Sequence, residues 1–138
     1  RIRSGAGYQD RVYDQNVFVE MPDGKVIDLF DHKMLCNQEM IGKIKNITIS
    51  VSLANLRKVT GPIYNVIPAE TESFAHKKSG CGHIFNGKLI DKDEKYKEFI
   101  IDIGCGLIYS DSHGHFNDFQ IGDFLEIYAV RADLRDIQ

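Results

Sequence analysis

Hydrophobic and polar positions alternate most cleanly over residues 47–53, where Ile47, Ile49, Val51 and Leu53 are separated by Thr48, Ser50 and Ser52. A period of two predicts a strand with its aliphatic side chains on one face and its hydroxyls on the other. Upstream, Ile41 keeps the odd phase, but Lys43 and Lys45 break it, Ile44 is apolar, and Gly42 sits beside the break. A long strand whose phase slips near a glycine predicts a bulge or sharp bend, so the expectation is one curved strand from Ile41 onward. Leu53, Leu56 and Val59 have the spacing of a short helical turn ahead of Gly61-Pro62.

Two apolar runs, Val17-Phe18-Val19-Glu20-Met21 and Val26-Ile27-Asp28-Leu29-Phe30, flank Pro22-Asp23-Gly24-Lys25. Proline presets φ for a turn and glycine tolerates positive φ, which predicts a β-hairpin. Residues 68–78 predict a surface helix. Pro68 stands in the first turn, Glu70 and Glu72 near the start, Lys77 and Lys78 near the end, and Gly80 follows, in keeping with the helix dipole and a glycine C-cap. The second half returns to strands. Residues 83–91 and 96–103 flank the charged link 92–95 as a second hairpin, Gly104-Cys105-Gly106 predicts a bend, and Leu107-Ile108-Tyr109 resumes the strand pattern. After a polar loop, Gly122-Asp123 leads into a mostly buried strand over 124–130. The tail 131–138 reads as short and amphipathic, with Leu134 and Ile137 as its apolar positions.

Six or seven strands with one or two short helices make a mainly β, β-rich α+β chain. Closure into a small curved β-barrel is expected, because it removes exposed strand edges. Residues 1–11 are expected to form a flexible arm and residues 12–138 one domain. The curved stretch Ile41-Gly42-Lys43-Ile44, the single short helix and Gly122-Asp123-Phe124-Leu125-Glu126 opening a last strand resemble the oligonucleotide/oligosaccharide-binding fold over roughly residues 41–130. That fold places three strands ahead of its helix. Only one is evident after Ile41, so the hairpin over 17–30 is expected to supply the others.

Composition narrows the class without naming a function. The 138 residues are 43% hydrophobic and 27% charged, which excludes collagen, coiled coil and wholesale disorder. The apolar runs are far shorter than a membrane span, and the first residues lack the apolar core of a signal peptide. Lys plus Arg number 17 and Asp plus Glu 20, a net charge of −3, which argues against general binding to a phosphate backbone. Three cysteines, Cys36, Cys81 and Cys105, cannot all pair within the chain and none forms C-x-x-C, so the expectation is a reduced, cytoplasmic protein.

Two constellations carry candidate chemistry. Cys81-Gly82-His83 and His113-Gly114-His115 each place two donors at i and i+2, which point to the same side of an extended segment. Four Cys/His donors suit tetrahedral zinc, with Cys105 as a substitute ligand. The plainer account is histidines scattered through glycine-rich loops, since no recognised zinc spacing is present. His113-x-His115 is also similar to the metal motif of cupins, but no glutamate stands where that motif wants one and no histidine follows His115. The second constellation is basic. Lys43 and Lys45 on one strand face, with Arg57, Lys58, Lys77 and Lys78 nearby, could meet an anionic ligand or single-stranded nucleic acid. Tyr64, Phe74, Phe85 and Tyr109 are available to stack on bases. Solvated lysines and core aromatics are the plainer account here. No nucleophile elbow, P-loop or dinucleotide glycine motif is present. The expected function is therefore a non-enzymatic binding or interaction module for a small ligand or a protein partner. The alternatives are a zinc-binding domain or metal-dependent enzyme, and a nucleic-acid-binding barrel. The added N-terminal hairpin leaves an edge strand that makes a homo-oligomer possible, and the sequence does not decide it.

Overall fold

The computed structural model describes residues 1–5, 7–8, 11–12, 14–67 and 82–138. The chain is mainly β, with eleven strands among the described residues, in order: β1 (Ile2–Ser4), β2 (Gly7–Tyr8), β3 (Arg11–Val12), β4 (Gln15–Glu20), β5 (Val26–Asp31), β6 (Ile47–Val59), β7 (Asn65–Ile67), β8 (His83–Asp93), β9 (Glu98–Asp102), β10 (Leu107–Asp111) and β11 (Phe124–Ile137). One 3-10 turn spans Gln38–Met40, and no α-helix occurs among the described residues. The helix expected over 68–78 lies outside the described residues.

Nine strands form one mixed sheet in the order β1-β4-β5-β11-β6-β10-β9-β8-β7, and β11 also pairs with β8. That extra pairing closes β11, β6, β10, β9 and β8 into a ring of five strands. Neighbours in the ring are antiparallel except β10 and β6, which run parallel through Ile108↔Ile49 and Ser110↔Val51. The hairpin read at Pro22-Asp23-Gly24 is present as β4–β5. Its turn closes by the Gly24 amide donating to the Met21 carbonyl at 2.8 Å, with Gly24 at φ +86°. The hairpin lies outside the ring, joined to β11 at Asp133↔Phe30. The three-stranded run expected before the helix is instead the meander β8–β9–β10, further along the chain.

Three further expectations are corrected. The strand does not begin at Ile41. The Asn37 side chain accepts from the Glu39 amide at 3.0 Å, and the Lys43 amide donates to the Met40 carbonyl at 3.1 Å, with Gly42 at φ +80°. Those turn bonds hold the backbone out of the extended region, so the strand starts only at Ile47. Leu56 and Val59 do not form a helical turn. They continue β6 opposite Ile127 and Phe124, and cross-strand pairing overrides a helical spacing. Residues 2–4 of the supposed arm form β1, paired with residues 15–17 of β4.

The final strand also runs seven residues beyond the expected end at Val130. The reason is a change of phase. Leu125, Ile127 and Ala129 are buried, and then Ala132 and Leu134. On β6 the buried positions pass from Ile49 and Val51 to Ala54. The ladder keeps one register through the change, from Ala129↔Ala54 to Ala132↔Val51, so its two halves turn opposite faces to the core. At the same place the other edge of β11 changes partner, from β8 over Phe124 to Ala129 to β5 at Asp133. Bulges fall where the ladders slip: Ile90 is the extra residue between Leu89↔Ile101 and Asp91↔Ile100, and Arg135 is the extra residue between Leu134↔Ile49 and Asp136↔Thr48.

Gly87 sits where β8 is flanked by both neighbours, opposite Leu125 of β11 and beside the Lys88↔Asp102 pair with β9. A Cβ built there would lie 2.1 Å from the Asp102 carbonyl oxygen, a backbone atom that cannot swing aside. Gly87→Ala is therefore expected to cost about 3 kcal/mol through forced backbone displacement, read as a lowered urea midpoint. A midpoint within error of wild type would show that β8 and β9 do not approach this closely.

Candidate functional site

The hydroxyl face read in residues 47–53 is where the site lies. Ile49 and Val51 are buried, and Thr48, Ser50 and Ser52 stand half-buried on the other face. Register places Ser50 between Tyr109 of β10 and Asp133 of β11. Beside this row the chain leaves an open groove of about 500 Å³. Its floor includes Ser50 and Asp133, one wall carries His32 and Lys33, and the other carries Glu98, Asp111, Arg135 and the exposed Tyr96.

Arg135 owes its position to the bulge in β11. An extra residue breaks the in–out alternation and re-aims its side chain. The guanidinium Nη1 donates to both Glu98 carboxylate oxygens at 3.1 Å, and its carbon lies 4.2 Å from the centre of the Tyr109 ring. A second arginine repeats the device next door. Arg131 Nε donates to Asp133 at 2.8 and 3.1 Å, and its guanidinium lies 4.9 Å above Phe30. Both cations are thus held by a carboxylate and an aromatic face together, which fixes long side chains that would otherwise wander. The result is a set of oriented donors and acceptors on a sheet surface, able to meet a polar partner with little further ordering.

The opposite wall is positioned by a buried carboxylate that the sequence reading passed over. Asp31 is fully buried at the end of β5. It accepts from the Gln15 side-chain amide at 2.8 Å and from the backbone amides of Leu35 and Cys36 at 2.9 Å each. Gln15 also donates to the Cys36 carbonyl at 2.8 Å. These bonds pin the loop that presents His32 and Lys33. The available signal was the pair Asp28 and Asp31 inside an otherwise apolar strand, since a carboxylate placed there has to be satisfied from within.

The donors expected for zinc fall in different places. Cys81 lies outside the described residues. His83 is fully buried as the first residue of β8; its Nε2 accepts from the Asp28 amide at 3.2 Å, and its ring stacks on Phe85. His113 and His115 are exposed in the loop after β10. That loop is held at the other end of β8, where Lys92 donates to the Phe116 carbonyl at 2.6 Å. The path along β8 from His83 to Lys92 is roughly 30 Å, so His83 and the loop histidines are not brought together. His115 Nδ1 instead lies 2.7 Å from the Asp118 carboxylate. Among the described residues no group of three or more His, Cys, Asp and Glu side chains is placed to hold a metal ion.

The basic set is likewise dispersed. Lys43 and Lys45 are exposed in the irregular segment before β6, not on a strand face, and Lys77 and Lys78 lie outside the described residues. Of the stacking candidates, Phe85 is core, Tyr64 packs edge-on against Phe124, Tyr109 is capped by Arg135, and Phe74 is outside the described residues.

Comparison with known proteins gives no match: no family model, no curated protein and no solved structure matches this chain.

Two outcomes follow from these surroundings. Asp31→Ala leaves two backbone amides and the Gln15 amide without their acceptor. It should lower stability by about 3 kcal/mol and speed hydrogen exchange at Leu35 and Cys36; unchanged exchange there would remove Asp31 as the anchor of this wall. Burial, and then the charge of Asp31, pushes the Cys36 thiol above its ordinary value of 9.0. A raised folded-state value means that this contribution to stability is complete below pH 9.0 and is lost as pH rises past it, because the unfolded chain ionises first. Unfolding midpoints should therefore fall above pH 9.0, by less in Cys36→Ala than in wild type; equal slopes would show that Cys36 does not contribute.

Proposed function

We propose that the five-strand ring is a small curved barrel of the oligonucleotide/oligosaccharide-binding kind. We propose further that the chain is a non-enzymatic binding and interaction module whose recognition surface is the groove beside Arg135. The connectivity supports the first part. A three-stranded antiparallel meander, β8–β9–β10, closes on the antiparallel couple β6–β11 through one parallel seam. This matches the resemblance if the strand that ends that fold stands first in the ring here. The architecture serves many functions, so the reading of function rests on the groove.

The observation that carries it is the Arg135–Glu98 pair held over Tyr109 at the groove wall. A guanidinium fixed by a carboxylate on an aromatic face offers remaining donors in one plane, next to the Ser50 hydroxyl and the Asp111 and Asp133 carboxylates. This array suits a polar group with both donors and acceptors, such as the amides of a small ligand or of a protein partner. Its geometry is set by strands and a bulge, so little ordering entropy is lost on binding.

A screen of polar fragments by amide chemical-shift perturbation tests the reading. Binders should shift Ser50, Tyr109, Asp133 and Arg135 saturably, remain chemically unchanged, and weaken about tenfold in Arg135→Ala. Conversion of a fragment to product would replace the binding module with an enzyme. Shifts confined to other surfaces would remove the groove.

A further inference from the structure

Two of the three long strands of the ring, β11 and β8, give one edge to a single partner and divide the other between two shorter strands placed end to end. On β11 the divided edge carries β8 over Phe124 to Ala129 and then β5 at Asp133. On β8 it carries β7 over Asn65 to Ile67 and then β9 from Lys88 onward. On β6, β11 takes one edge from Ile47 to Val59, and β10 takes the other only at Ile49 to Val51. Among the described residues nothing pairs with that second edge over 54–59.

We propose that residues 54–59 of this edge form a strand-addition site for an extended segment of a partner polypeptide. The first reason is chemical. Six residues of strand, about 20 Å long, turn a row of backbone N–H and C=O groups outward, and an extended backbone is the chemistry that matches such a row. The second is the state of the side chains. Leu56 shares a face with Ile127, and Lys58 with Leu125. Those β11 partners are fully buried, whereas Leu56 is only partly covered and Lys58 is exposed. The ring therefore lacks a neighbour on this side, and an apolar residue of the added segment would complete the cover over Leu56. The third is the placing of charge. Cationic side chains commonly guard a free edge. Here Arg57 is drawn onto Glu126 at 2.9 Å and Lys58 onto Asp123 at 3.2 Å, both toward β11 and away from the open side. The matching segment has apolar side chains at alternate positions to lie beside Leu56, and polar ones between them beside Asn55 and Arg57. The site is separate from the groove, which lies at the Ser50 end of β6, so it stands or falls independently of that reading.

The test uses the ¹⁵N-labelled chain and a capped hexapeptide of alternating Val and Thr. In the free chain, alternate amides over 54–59 should exchange about tenfold or more faster than the amides of 49–51 that are paired on both sides. Peptide should slow the exchange of those amides saturably. N-methylating one alternate set of peptide amides should weaken binding about tenfold, while N-methylating the other set should leave it unchanged, because an added strand pairs through one edge only. Four results would overturn the proposal. The amides could already be protected in the free chain, or become protected as chain concentration rises, which would make the occupant a second copy. Both methylated peptides could bind equally. The peptide could shift Ser50, Tyr109 and Arg135 instead, which would assign it to the groove.

Discussion

Three ladders of the nine-stranded sheet, those with β6, β8 and β5, meet on the two edges of β11 and hold its parts together. One edge is committed to β6 along nearly its whole length, and the other passes from β8 to β5. A strand can make such a handover only if its buried face changes with its partner. The change of phase between Ala129 and Ala132, matched between Ala54 and Val51 on β6, is that adjustment. It lets one continuous pair of strands close a ring at one end and carry an added hairpin at the other. The bulge at Arg135 lies on the same strand, so the handover and the candidate site share one backbone.

This explains which parts of the fold were legible in the sequence. Local signals were read well: the turn at Pro22-Asp23-Gly24, the meander around residues 92–95 and Gly104-Cys105-Gly106, and the alternation over 47–53 all depend on neighbours in the chain. The second halves of β6 and β11 were not legible as strands. A change of phase destroys a period of two in a short window, and the polar-looking run Arg131-Ala132-Asp133 hides a buried alanine. The bend assigned to Gly42 belongs to a turn, while the true bulges at Ile90 and Arg135 follow from register slips between strands far apart in sequence. No local pattern encodes those.

The site was half legible for the same reason. The hydroxyl face of β6 follows from alternation, and the structure lines the groove with Ser50 from it. What stands around Ser50 comes from three other strands and two loops. Arg135 read as part of a tail and Glu98 as part of a hairpin, while Asp31 lay just past the end of the expected strand. The doublets that drew attention in sequence, Cys81 with His83 and His113 with His115, are equivalent on paper. In the fold His83 is a seam between β5 and β8, while His113 and His115 belong to a solvent-facing loop. Spacing along a chain reports which donors share a side of a strand, not which strands meet.

The arrangement of β11 also dictates an order of events during synthesis. β6 leaves the ribosome some 65 residues before the strand that pairs its full length, and β8 waits some 30 residues for the same partner, as the offsets from Val59 and from Asp93 to Phe124 require. The β4–β5 hairpin and the β8–β9–β10 meander are each closed by short connections and can form as they emerge. The ring cannot, because its closing strand is the last of its five strands to be made. Until then the apolar faces of β6 and β8 have no permanent cover, and the nascent chain depends on speed or on a chaperone to keep them from other strands.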